Sequence, residues 1–410
     1  MGGSAEIGRR VSTRTKSPDT GAASRASRRR RALFLQVVEP GMYPPIIAAS
    51  HLMAEAGWDV MMLASPSADS QLRMPSHPAI LMRRIAERPS FVVRKSDLLR
   101  YSAYAARLAL RWRPDIVYAS DWLGTVPGLL AARLAGARLV YHEHDSRSPG
   151  ALRSWLARFS AKVARNADLV IFPNAERAEI VRREIGFPAE RLRIVWNLPR
   201  RAEQPTLAPK ADMPLLLWYH GSITPDRLPP SVIEAVASFG GRVRLQIAGY
   251  EAPLVRGYIS HMLDLASREK AAPFVSYVGQ IARQDLLARA TAAHVGLAFM
   301  PPCSNNINMQ HMTGASNKAF DYMAAGLALL VSDLPDWHDM FVAPGYALAC
   351  DPRSAHSIRS ALGWLIDHPE ALKKMAADAR AKISAEWNYD SAFAPVLDSL
   401  LGENPISMEL

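Results

Sequence analysis

From Ala32 onward, short apolar runs alternate with segments of helical period, and this alternation starts twice along the chain. No other feature constrains the fold as tightly. Strand-sized apolar runs separated by amphipathic helices build a parallel sheet wrapped by helices. The first series reads as strands at Ala32–Val38, Asp59–Leu63, Ala79–Ile85, Asp115–Ala119, Arg138–His142, Ala167–Phe172 and Leu192–Trp196. Helices are expected between them at Pro45–Ala56, Asp97–Trp112, Val126–Ala135, Ala151–Arg165 and Ala175–Ile185. Residues 199–213 have no apolar period and read as a linker. The pattern then restarts, with strands at Leu215–Tyr219, Val243–Ala248, Phe274–Val278, Val295–Phe299 and Leu327–Val331. Helices are expected from Pro230, over Gln284–Ala292 and over Asn317–Ala325, with two more at the C-terminus.

The expected fold is α/β, with two Rossmann-like doubly wound domains, 32–198 and 214–385, facing a central cleft. Residues 386–410 are expected to cross back onto the first domain. A chain of 410 residues suits two domains of ordinary size. In open parallel sheets ligands sit beyond the strand C-termini, so the cleft is the expected site.

The net charge of +11 is concentrated at the start. Residues 1–31 hold eight Arg and one Lys against Glu6 and Asp19, and so carry +7 of it. This segment lacks periodicity and reads as a disordered basic leader. Its Arg28–Arg31 run can bind RNA, act as a weak electrostatic anchor on an anionic membrane, or be a solvated leader without specific role. The rest of the chain is only mildly basic, which argues against a specific nucleic-acid partner. Two cysteines exclude a disulfide framework and a four-cysteine metal site. The longest apolar stretch is broken by Arg133 and Arg138, and residues 1–31 lack the apolar middle of a secretory signal. The expected location is cytoplasmic, with peripheral contact at the inner face of a membrane through the leader.

Two stretches of the second domain carry the chemistry. The strand ending Tyr219-His220-Gly221-Ser222 leads through Arg227 to a helix. A glycine at a strand end admits close backbone approach, the helix start offers unpaired amides to an anion, and Arg227 adds a forked cation suited to a diphosphate. Further on, Ser316 or Asn317 can cap the helix that Lys318 enters. Asn317 and Lys318 then face an anion at its positive end, and Asp321, one turn later, can take two ribose hydroxyls. An ordinary capped helix with a surface Lys318–Asp321 pair fits the same spacing. In the first domain, Gly41 follows the first strand and is placed to meet a donor phosphate or an acceptor. Asp121 follows another strand, where it either faces the cleft on the acceptor side or caps the helix behind it.

The stretch SNKAFDYMAAGLALLVSD resembles the (P/S)NKxFEYMAxGxPVVxSD motif of the GT-B glycosyltransferases, in the branch called family 4. YHGSITPDR is similar to the first donor-domain loop of that family, and DIVYASDWLGTVPGLLAARLAGARLVYHEHD and IVWNLP to its first-domain segments. The resemblance implies transfer of a sugar from a nucleotide diphosphate donor, with retention and without bound metal. The donor is a co-substrate, and no cofactor is expected. Gly221, Ser222, Arg227, Asn317 and Lys318 then line the diphosphate, and Asp321 holds the ribose. Gly279, Gln280 and Ile281 match the loop lining the nucleobase. His144 matches a strand-end His that contacts the donor sugar, followed by Asp145, and these two are the expected catalytic residues.

Breaking the sugar–diphosphate bond builds charge on the leaving phosphate, which cations and helix amides stabilise. No DxD-like pair for Mg²⁺ stands beside this cation set. Two residues depart from the motif: Thr313 replaces its first carboxylate, and Ser222 a usual Arg. The first leaves the task of the missing carboxylate to backbone amides near Met312–Ala315, or undone. The acceptor class stays open among a glycan, a lipid-linked sugar and a small molecule, with polysaccharide or glycoconjugate assembly as the setting. Two other functions fit the architecture, a non-catalytic nucleotide-sugar-binding subunit and a nucleotide-sugar 2-epimerase.

Overall fold

The computed structural model describes residues 1–2, 28–66, 72–88, 93–146, 155–251 and 255–402. Most of the expected leader and the start of the helix expected at Ala151 lie outside these residues. In the first lobe β1 (Arg31–Gln36), β2 (Asp59–Ala64), β3 (Ile80–Arg84), β4 (Ile116–Ser120), β5 (Arg138–His142), β6 (Leu169–Phe172) and β7 (Leu192–Ile194) form one parallel sheet, ordered β3-β2-β1-β4-β5-β6-β7. Its helices are α1 (Pro44–Glu55), α2 (Lys95–Trp112), α3 (Asp121–Ala135), α4 (Trp155–Arg165) and α5 (Ala175–Ile185).

The second lobe repeats the plan. Its strands are β8 (Leu215–Ile223), β9 (Val243–Glu251), β10 (Val275–Tyr277), β11 (Val295–Ala298), β12 (Ala328–Ser332) and β13 (Ala347–Cys350), ordered β10-β9-β8-β11-β12-β13. Its helices are α6 (Ser231–Ala237), α7 (Tyr258–Arg268), α8 (Arg283–Ala290), α9 (Ile307–Gln310), α10 (Asn317–Ala324), α11 (Pro335–Trp337), α12 (Ala355–Asp367), α13 (Pro369–Ala385) and α14 (Tyr389–Leu401).

In both sheets the strand order reverses beside the first strand, at β1/β4 and at β8/β11. Such a switch point leaves a crevice beyond the strand C-termini. β4 and β12 are buried at every residue, which is why they read as unbroken apolar runs. The lobes share an aromatic seam, where Trp196 of the first stacks on Phe320 of the second and both meet Trp387. After that seam α14 returns to the first lobe, where Arg138 donates to the Ser399 carbonyl at 3.1 Å.

Several expectations need correction. Arg28–Arg31 is not a free charge run, because Arg28 pairs with Asp115 at 2.7 Å and Arg31 opens β1. Arg30 donates to the Leu400 and Leu401 carbonyls, where cations oppose the negative end of α14. The segment expected as a linker holds a 3-10 turn, Arg201–Glu203, and Arg200 bridges Glu55 and Asp390. The helix expected from Val126 begins at Asp121. α7 and β13 appear where no element was expected, and the C-terminus carries three long helices instead of two.

Candidate functional site

Beyond the ends of β1, β5 and β8 the two lobes enclose a cavity of about 290 Å³. Gly41, His144 and Asp145 line it from the first lobe. Gly221, Ser222, Arg227, Ile281, Asn317, Lys318 and Asp321 line it from the second. Asp121, Gly279 and Gln280 are not among its lining residues. Gln280 borders a neighbouring hollow beside Ala282 and Asp285.

Two glycines set the approach. Gly221 has φ +107, and a Cβ there would lie 3.2 Å from Lys318 Cε, so the lysine stem lies against bare backbone. A Cβ at Gly41 would meet the Leu72 carbonyl at 2.5 Å, which keeps that turn flush with the chain across from it. The Lys318 ammonium lies 5.6 Å from the Tyr219 ring centre and has no carboxylate ion-pair partner among the described residues. Burial first, then the Arg227 charge, push its pKa well below the usual lysine value. Among the described residues the Arg227 side chain likewise has no acidic partner, and it contacts the Met309 sulfur at 3.6 Å. Two adjacent unneutralised cations in a cavity are the electrostatic imprint of an anion.

Asp321 is 1% exposed. Its Oδ2 accepts from Arg283 Nη1 at 2.5 Å and from His220 Nε2 at 3.2 Å. Trp218 Nε1 donates to His220 Nδ1 at 2.9 Å, which places the imidazole proton on Nε2. Burial holds His220 below the usual histidine range, so it is a neutral donor. Burial works against the Asp321 carboxylate, but Arg283 and the His220 hydrogen bond override it and hold the carboxyl below its usual value. Asp321 Oδ1, Asn197 Oδ1, Asn317 Nδ2 and His144 Nδ1 are buried without a partner among the described residues, all on residues lining the cavity. Buried polar atoms usually find a partner, and four without one around a single cavity offer acceptors and donors to a ligand.

On the first-lobe wall, His144 bonds Ser120 Oγ through Nε2 at 3.1 Å, and burial lowers its pKa to about 3. The imidazole is therefore neutral near pH 7, suited to hydrogen bonding rather than to carrying a proton. Asp145 next to it is exposed, and its carboxylate has no partner among the described residues. Asp121 takes a different place from the one expected. It sits at φ +55, and its Oδ1 accepts the His144 and Asp145 amides at 2.8 and 3.3 Å. Burial, with Asp145 adding repulsion, pushes its carboxyl well above the usual range. It shapes the strand-end loop from behind.

Residues outside the expected set hold the lobes in register. Arg177, 1% exposed, donates to the carbonyls of His311 (2.7 Å), Asn308 (2.6 Å) and His144 (3.2 Å). Asn174 Nδ2 takes the Thr313 carbonyl at 2.6 Å, while Asn197 takes those of Gly314 and Ala315, each at 2.7 Å. The Thr313 hydroxyl bonds Asp336, so this side chain does not stand in for the missing carboxylate. The amides expected to replace it are also committed in part: Ala315 and Ser316 both donate to the Met312 carbonyl. Arg177, His220 and Arg283 were missed by sequence reasoning. Only His220 had a local signal, its place before Gly221 in the strand-end loop.

Residues 48–198 match the family described as a glycosyl transferase 4-like domain, and residues 231–398 one described as glycosyl transferase-like. A glycogen synthase of Mycobacterium tuberculosis is 22% identical over 386 residues, covering 85% of this chain and 90% of that protein. Among solved structures, HepE of Anabaena in complex with UDP and glucose superposes with a TM-score of 0.67 at 16% identity, covering 90% of this chain and 99% of that one. Sucrose-phosphate synthase of Thermosynechococcus elongatus gives a TM-score of 0.66 at 16% identity, covering 90% and 98%. At these identities the structural likeness speaks for the fold.

Proposed function

Because this chain belongs to the GT-B group 1 glycosyltransferases, we propose that it moves a hexose-like sugar from a nucleoside diphosphate donor to an acceptor hydroxyl. The donor lies in the cavity between the lobes. Its diphosphate meets Lys318, Arg227, the Asn317 amide nitrogen and the backbone at Gly221, Ser222 and Gly41. Its ribose meets Asp321 Oδ1, and its base lies toward Ile281, Gln280 and Gly279. The sugar points to the first lobe, where neutral His144 bonds a sugar hydroxyl and Asp145 accepts the proton of the attacking acceptor.

The observation that carries this reading is the Arg227–Lys318 pair, two cations without carboxylate partners among the described residues, beside Gly221 at the switch point of the second sheet. Negative charge grows on the leaving β-phosphate as the glycosidic bond breaks, and preorganised cations lower that barrier. They supply there the charge a divalent ion supplies in other transferases, which supports turnover without bound metal. Retention of anomeric configuration is carried over from the motif that SNKAFDYMAAGLALLVSD resembles.

The acceptor is a glycan, lipid-linked sugar or small molecule in polysaccharide or glycoconjugate assembly. None of the described helices is long and apolar enough to cross a membrane. A cytoplasmic enzyme with peripheral contact to the inner membrane face is the reading retained. It is supported by the exposed Leu99, Leu110, Leu130 and Phe159 on α2, α3 and α4, set among Arg100, Arg107, Arg111, Arg133, Arg158 and Lys162. The test is a thermal-shift screen of UDP-, ADP- and GDP-sugars, followed by release of nucleotide from the stabilising donor. Stabilisation without turnover under any acceptor would leave a nucleotide-sugar-binding subunit, and no stabilisation by any donor would end the reading.

A further inference from the structure

The group that holds Asp321 lies far from the motif that carries it. Arg283 opens α8, and its guanidinium is 9% exposed. Besides Asp321, it binds Glu203 through two bonds, Nε to Oε1 at 2.9 Å and Nη2 to Oε2 at 3.3 Å. Glu203 Oε2 also accepts the Arg200 amide at 2.8 Å, and Arg200 bridges Glu55 of α1 and Asp390 of α14. A continuous chain of charge-assisted bonds therefore runs from the cavity through the interlobe segment into the first lobe.

Asp321 is one methylene shorter than the glutamate of the motif it resembles. With Oδ2 occupied by Arg283 and His220, only Oδ1 is left to accept from a ligand. We propose that Arg283 is a positioning residue for the donor, fixing Asp321 so that Oδ1 faces the vicinal hydroxyls of a nucleoside diphosphate, with Glu203 orienting the guanidinium from the interlobe segment. This rests on the donor site given above. A buried carboxylate stays ionised only while compensated, and the ionised form makes the stronger bonds to hydroxyls. Among the described residues, the titratable and charged groups facing Asp321 are neutral His220 from β8, Arg283 from α8 with Glu203 behind it, and Lys318 and the neutral Tyr322 phenol from its own helix. Of these, Arg283 alone touches the carboxylate as a cation.

The test titrates UDP, ADP and GDP calorimetrically into the full-length protein and its Arg283→Ala and Arg283→Lys variants from pH 5.5 to 8. Affinities are read as ratios to the unaltered protein, which cancels the protonation of the nucleotide itself. Arg283→Ala should weaken binding at least about ten-fold at pH 8, with a ratio that grows as pH falls and Asp321 protonates. Arg283→Lys should lose less and keep a flat ratio. Millimolar guanidinium should restore part of the affinity of Arg283→Ala and leave Arg283→Lys unchanged. A flat ratio without rescue in Arg283→Ala, or native affinity in both variants, overturns the proposal. If Arg283→Ala does not fold, Glu203→Gln joins Arg283→Lys, with KM for the donor expected to rise and kcat to hold; unchanged KM in both is then the refutation. Absence of nucleotide binding to the unaltered protein would instead sink the donor site, and native affinity in Asp321→Asn would sink the ribose contact.

Discussion

Lys318→Met separates a ligand-binding lysine from a structural one, because the two roles predict opposite signs. The ammonium is buried, lies beside Arg227, and has no carboxylate ion-pair partner among the described residues. In the empty protein it is a cost, since the fold has removed it from water without compensation. Its pKa when folded lies well below the 10.5 of a free lysine. Between those two values the unfolded chain binds more protons, so stability rises with pH across that window, and below it the penalty is complete. Methionine fills the same stem volume without charge. Lys318→Met should therefore raise Tm of the empty protein by roughly a few °C at pH 7, and the gain should shrink toward pH 10. Donor binding moves the other way. A cation about 4 Å from a phosphate oxygen gains ~4 kcal/mol at an effective dielectric constant near 20. With Arg227 still present, the variant should lose about 2–4 kcal/mol, or roughly 30- to 1000-fold in Kd for the nucleotide. Differential scanning fluorimetry reads the first effect and calorimetric titration the second. A fall in Tm with unchanged Kd would refute the reasoning, because Lys318 would then hold the fold and not an anion.

Four other outcomes follow from the same geometry. Thr313→Glu, which restores the carboxylate of the motif, should lower Tm and leave turnover no higher, because the side chain points at Asp336; faster turnover would show that the loop can turn inward. His144→Asn should slow transfer yet keep the pH dependence of kcat/KM between pH 5 and 8, since burial lowers the His144 pKa to about 3; loss of an inflection near pH 6–7 would assign His144 a proton-transfer role. Removing residues 1–27 should leave Tm and nucleotide affinity unchanged, whereas removing 1–31 also deletes the Arg28–Asp115 and Arg30–Leu400 contacts and should lower Tm; equal Tm for the two truncations would contradict the clamp described for these arginines. Turnover after dialysis against a chelator should stay within about two-fold of its starting value if Arg227 and Lys318 carry the leaving-group charge, and recovery on adding Mg²⁺ or Mn²⁺ after a loss would place a metal in the reaction.

What was legible in the sequence was whatever is local. The fold showed because a strand buried on both faces, such as Ile116–Ser120, must be a short apolar run. Lys318, Asp321 and Gly221 stood out because one helix start and one strand end hold them in contiguous text. α7 had its signal too: Tyr258, Ile259, Met262, Leu263 and Ala266 follow a helical period. β13, four residues at a sheet edge, is too short to show one. The clamps had none, because a buried arginine whose partners are carbonyls, as Arg177 has at His311 and Asn308, leaves no complementary side chain to read. The contacts of Arg28 and Arg30 were hidden because their partners lie far along the chain, on Asp115 and on the carbonyls that close α14.

That asymmetry bears on the chemistry. The loop that replaces the usual carboxylate with Thr313 offers its carbonyls at His311, Thr313, Gly314 and Ala315 to Arg177, Asn174 and Asn197 of the first lobe. A loop fastened by its backbone tolerates a changed side chain without moving, so losing the glutamate need not disturb the cavity wall. The Thr313 side chain is bonded to Asp336, and neither residue lines the cavity. Asp145 and Asp321 are the carboxylates among the described residues that line the cavity with Lys318 and Arg227, and Asp321 is already compensated by Arg283. Charge complementarity to a diphosphate therefore rests on the Arg227 and Lys318 side chains, not on the residue that replaced the glutamate.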